Sequence, residues 1–120
     1  MMEDYLPVAG RIMFCAVFLI TSPNAFKKQT IQYAGMKGVP FPSLAVPLSG
    51  IIEIAGSLSI ILNYHPQLGG SLIVMYLLPV TLSMHNFWSF TDPMTRQIEF
   101  ANFLKNLSIM GGAVLIVAWA

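Results

Sequence analysis

Four apolar runs alternate with short polar connectors along the chain. Their lengths and punctuation predict transmembrane helices over about 8–21, 44–62, 68–87 and 98–119; about twenty helical residues cross a hydrocarbon core. The first run is short, and Pro7 before it suits a first helical turn. The second run, Leu44 to Leu62, is interrupted by one charge, Glu53. That carboxyl lies roughly 15 Å from either end of the run at about 1.5 Å per residue. A carboxylate at such depth needs a partner, a proton or water.

The connectors carry their own signals. Ser22-Pro23 reads as a cap followed by a proline in the first turn. Beyond it, Phe26, Thr30, Tyr33 and Ala34 recur at helical steps, opposite Lys27, Lys28, Gln29 and Gln32. This predicts a short helix near 24–36 lying in the membrane interface; an ordinary charged loop is the alternative. Gly38 ends it, and Pro40 and Pro42 prevent its continuation. In the second span, Ser49, Glu53, Gly56, Ser57 and Ile60 share one side, where small residues admit a close neighbour. In the third, Pro79 predicts a kink, and Thr81 and His85 fall one turn apart. Phe87, Trp88 and Phe90 form an interfacial aromatic belt. Thr91 or Asp92 caps the fourth helix, with Pro93 just inside. Along that helix Asn102, Lys105, Asn106 and Ile109 lie on one side, and Trp119 anchors the far interface.

Composition strengthens the membrane reading. Hydrophobic residues make up 56% of the 120-residue chain and charged residues 9%, against about 25% charged in a soluble domain. The class is therefore all-α: a polytopic membrane four-helix bundle with an interfacial helix between spans one and two, in a single transmembrane domain over 1–120. A net charge of +1 and the lack of a basic patch exclude a nucleic-acid partner. Cys15 is the single cysteine, which excludes an intrachain disulfide and thiolate-cluster metal sites; it reads as a buried small side chain. The acidic start MMEDY argues against a cleaved signal peptide, so the first run is read as a retained span. Lys27, Lys28, Lys37 and Arg96 share one side of the membrane with nearby Lys105. The positive-inside rule makes that side cytoplasmic and puts both termini outside. Arg11 is read as snorkelling to headgroups; serving a buried acid is its alternative.

Depth gives the candidate site. Counted from the lysine-rich side, Glu53 and Lys105 differ in depth by only about 6 Å. A Glu53–Lys105 pair would relieve both desolvation costs, with His85 nearby and Asn106 adding hydrogen bonds. Arg11, Thr81 and Asn102 are further contributors to this polar intramembrane cluster. Such groups can move protons or hold a polar headgroup, or they can simply fix helix register. One histidine and one carboxylate are too few for a metal site. No phosphate loop or nucleophile elbow is present, no catalytic residue is assigned, and no cofactor follows from these residues.

Several of these residues resemble the DoxX family of small four-helix membrane proteins. The matching features are Arg11-Ile12, Phe26 to Tyr33 with Lys27, the GVPFPS connector from Gly38 to Ser43, and Glu53-Ile54-Ala55-Gly56. They continue with His85 and Phe87-Trp88, Phe103-Leu104-Lys105-Asn106, and Gly111-Gly112. The resemblance implies a multi-pass protein of the bacterial cytoplasmic (inner) membrane, in contact with membrane lipid. It implies a redox-associated subunit that binds a quinone or a lipid-like thiol acceptor beside an oxidoreductase partner protein. The alternative is a non-catalytic scaffold or assembly subunit of a membrane complex. A transporter is a third class; four spans without an internal repeat would reach it through a homo-oligomer.

Overall fold

The computed structural model describes residues 2–119. Helix α1 (Met2–Thr21) leads through a 3₁₀ turn (Ser22–Phe26) into the short α2 (Lys28–Met36). Helices α3 (Pro42–Ile61) and α4 (Pro66–Met84) follow, then a 3₁₀ turn (Phe87–Ser89) and α5 (Pro93–Trp119). Among the described residues there are four helices long and apolar enough to cross a membrane, α1, α3, α4 and α5. The molecule measures 50 × 30 × 20 Å. Its length exceeds the roughly 30 Å of a hydrocarbon core, so the helix ends reach the headgroups.

Local chemistry sets the element ends. Gly38 adopts φ 89 after α2, while Val39 N–H donates to Ala34 O and Gly38 N–H to Gly35 O, each at 3.1 Å. This double bond is the usual glycine-terminated helix stop. Asp92 caps α5: its Oδ2 accepts from Thr95 N–H at 2.9 Å and from Thr95 Oγ1 at 2.8 Å. These two bonds hold the Asp92 carboxyl below the usual carboxylate range.

Three local expectations are corrected. Because α1 already begins at Met2, Pro7 lies inside it and not in its first turn. Ser22 is not a cap; its hydroxyl donates backwards to Leu19 O at 3.3 Å, and the residue is buried. The helix expected near 24–36 is split at Lys27, which is extended (φ −83, ψ 138). On α2 it is Ala34 that is buried, whereas Tyr33 is exposed.

Helix α3 packs against α1, α4 and the 3₁₀ turn before α2, and α4 packs against α5. Its buried positions are Gly50, Glu53, Gly56, Ser57 and Ile60. These fall at steps of three and four, so one helix face is enclosed. At the α3–α4 crossing a Cβ on Gly69 would stand 2.7 Å from Gly56 O; only hydrogen at both α-carbons allows this approach. Around the crossing, Cys15, Phe18, Ile60, Ile73, Leu77 and Ala113 form the packed core. Large apolar side chains such as Ile51, Leu58, Met75 and Leu115 are exposed. For lipid-facing helices this is the expected finish, because acyl chains solvate them.

Candidate functional site

The packed core does not fill the space toward α2. Toward α2 the helices part, and a cleft of ≈ 440 Å³ opens between the Ser22–Phe26 turn, α2, α3 and α4. Pro42 keeps the backbone of α3 next to α2 there; a Cβ on Gly35 would meet its Cγ at 3.3 Å. Apolar walls come from Val46, Ile52, Met75, Val80 and Met84. Thr21, Asn24, Thr30, Ser49 and Ser83 supply polar atoms. Leu48 and Met75 line the cleft and are also exposed on the outer surfaces of α3 and α4. The cleft is therefore open sideways, toward lipid.

Glu53 lines this cleft and is 4% exposed. It occupies the enclosed face of α3 because Gly50, Gly56 and Ser57 on the same face let neighbouring elements come close. The Tyr76 side chain, carried by α4 and also lining the cleft, is its electrostatic partner. The arrangement offers a ligand one carboxyl and one phenol at the end of an apolar slot. Such a pair can accept or donate a proton, or hold a carbonyl or hydroxyl group.

The polar cluster expected around Glu53 divides into separate places. Lys105 is exposed on α5 and forms no ion pair with Glu53, which corrects the expected Glu53–Lys105 pairing. Matching depth along the membrane normal does not fix the direction in which a side chain leaves its helix. Here α5 lies against α4, away from the enclosed face of α3. His85 caps α4, and its Nδ1 lies 2.7 Å from Glu99 Oε2, so it belongs to the α4–α5 corner and not to the cleft. Asn106 Nδ2 donates to Thr81 Oγ1 at 3.1 Å, joining α5 to α4. Asn102 is half-buried on α5, and Arg11 is half-buried on α1. Neither has a hydrogen-bond or ion-pair partner among the described residues.

The α4–α5 corner is a second polar assembly. Lys37 Nζ donates to Asn86 Oδ1 at 2.7 Å and lies 4.5 Å from the Phe90 ring centroid. Phe87 meets Phe100 edge-on at 4.8 Å and Phe103 at 5.4 Å. The aromatic belt therefore also packs the corner and does not merely anchor it.

Sequence reasoning missed Tyr76 and Glu99. Tyr76 is the one polar-tipped side chain in the apolar middle of its run, and depth matching extended from charges to hydroxyls would have found it. Glu99 sits where the fourth span was expected to enter the membrane, a depth at which a carboxylate raises no question of desolvation.

A family model described as DoxX matches residues 6–86. That stretch contains every residue lining the cleft and none of α5. The chain is 30% identical over 115 residues to the "Inner membrane protein YphA" of Escherichia coli (strain K12), covering 92% of this chain and 81% of that protein. No solved structure matches.

Proposed function

This chain belongs to the DoxX family, and from that premise we propose that it is a multi-pass inner-membrane subunit binding a lipid-soluble, quinone-class ligand in its Glu53 cleft. The observation that carries the reading is the Glu53–Tyr76 pair in an apolar slot that is open toward lipid. A quinone ring fits the walls of Ile52, Met75 and Val80, and its carbonyl oxygens suit a phenol and a protonated carboxyl. A ligand site of this size, mostly apolar with a few convergent polar groups, is the common form of small-molecule pocket. The excess of basic residues supports a cytoplasmic position for the α2 side. An oxidoreductase partner protein would supply or remove the electrons, since the chain has a single, buried cysteine and no His/Cys/Asp/Glu cluster able to hold a metal among the described residues.

The test is purification from native membrane in mild detergent, with mass spectrometry of bound lipids, quinones and proteins. A quinone is expected to co-purify with the parent chain and to be lost from Ile52→Trp, which fills the slot. Quinone retention by Ile52→Trp at full occupancy overturns the site. The second reading is a non-catalytic scaffold, in which α5, which buries only Ala113 and contributes nothing to the cleft, is the helix that meets a partner. Stable co-purification of a soluble oxidoreductase, with no quinone in any preparation, would favour it.

A further inference from the structure

The two directions leading away from Glu53 differ. Toward α2, polar cleft atoms succeed one another: Ser49 is one helical turn away, and Thr21, Asn24, Thr30 and Ser83 lie beyond. Toward the α3–α4 loop, the first polar group is Ser57, also one turn away. Ser57 is 0% exposed and does not line the cleft. Its polar neighbour is the fully buried thiol of Cys15. Beside them lie Ile73 and the Gly56–Gly69 backbone contact, and past them stands Ile60; both isoleucines are 0% exposed. A proton moves through proteins along hydrogen-bonded groups and water, and a closely packed apolar zone with no room for water interrupts such a chain.

The geometry points to one-sided exchange: we propose that Glu53 trades its proton with water on the α2 side only, and that the half of the bundle around Ser57, Ile60 and Ile73 is a proton-tight plug. The groups facing Glu53 fit this. From α4 comes Tyr76, and from α1, a turn outward, comes Cys15 beside Ser57. The 3₁₀ turn and α2 place no acid or base in the cleft; Lys27 and Lys28 are exposed away from it. Helix α5 contributes no lining residue, and Lys105 is exposed. The exchange itself moves one proton between the carboxyl and water, and no electron. The inference deepens the ligand-site reading: any proton a bound ligand gains or loses through Glu53 is drawn from or returned to the α2 side.

Side-selective thiol labelling tests it in the full-length chain, in a Cys15→Ala background. Glu53→Cys and Ser49→Cys probe the cleft, and Ile60→Cys probes the plug. Lys28→Cys and His65→Cys mark the two sides of the membrane. A small, charged methanethiosulfonate is applied to intact spheroplasts and to inverted vesicles. Labelling follows exposure of the thiolate, so Glu53→Cys and Ser49→Cys should react at least about tenfold faster from the side that labels Lys28→Cys. Ile60→Cys should react from neither side. Faster reaction from the His65→Cys side, equal reaction from both, or none at a folded Glu53→Cys overturns the proposal. If Glu53→Cys does not accumulate as folded protein, Ser49→Cys and Ile60→Cys carry the same test. Quinone content is measured separately. Side-selective labelling without bound quinone would overturn the ligand reading and leave the one-sided access standing.

Discussion

His85 on α4 and Glu99 on α5 meet at 2.7 Å, Nδ1 to Oε2, and close the corner where the chain turns from one helix to the next. Neither side chain is on the cleft. Beside them the chain reverses direction through the Phe87–Ser89 turn, and the Lys37–Asn86 bond ties the α2–α3 connector to the same corner. The corner is held by polar contacts and the rings of Phe87, Phe100 and Phe103, so single changes there act on helix placement.

Glu99→Gln and His85→Ala should each lower stability by about 1–2 kcal/mol, the scale of a partly buried bond to a charged group. The double variant should lose clearly less than the sum, because the two act on one interaction. Thermal melts of the four proteins in one detergent measure the coupling; strict additivity would mean that the pair contributes nothing.

At the cleft, Glu53→Ala should cost about 1–3 kcal/mol, since it opens space and leaves the Tyr76 hydroxyl without its partner. Glu53→Gln keeps the shape and a hydrogen-bonding group and should cost less. Lys105→Met should be near neutral, and its effect should add to that of Glu53→Ala within about 0.5 kcal/mol. The readout is again thermal unfolding in detergent. A Lys105→Met change that rescues Glu53→Ala would restore the pairing expected from depth alone.

Glycines in this chain separate into two kinds. A Cβ on Gly69 would meet Gly56 O at 2.7 Å and Ser59 Oγ at 2.7 Å, whereas one on Gly111 would meet nothing within 4 Å. Gly69→Ala should therefore destabilise by about 1–3 kcal/mol through forced separation of α3 and α4. Gly111→Ala should stabilise by up to about 1 kcal/mol through helix propensity. Equal melting temperatures for the two variants would contradict the crossing.

The cap of α5 responds to pH. Thr95 holds the Asp92 carboxyl below its ordinary range, so the folded state binds that proton less readily than the unfolded chain. The capping contribution is then fully present above the unfolded value of about 3.9 and is lost as pH falls through the lower folded value. The amide protection factor at Thr95 should stay level from about pH 7 to 5 and fall below about pH 4. Asp92→Asn, whose amide oxygen caps without titrating, should remove that fall.

The sequence by itself determined the number and approximate extent of the membrane helices, because the length of an apolar run and the proline, glycine and Asp92 signals at its ends are local properties. It also determined that Glu53 belongs to an enclosed face, since Gly56, Ser57 and Ile60 repeat at the same helical steps. Membership of the family was readable for the same reason, in the order and spacing of short motifs. The tertiary structure alone decided who meets whom. Depth along the membrane normal follows from counting residues, but the rotation of each helix and its choice of neighbour follow from packing. Lys105 thus shares a depth with Glu53 and leaves α5 on the exposed side, while Tyr76 reaches the cleft because Gly56 and Gly69 bring α3 and α4 together. The cleft itself exists because the 3₁₀ turn, α2, α3 and α4 leave space between them, a relation among elements that no segment's sequence contains on its own.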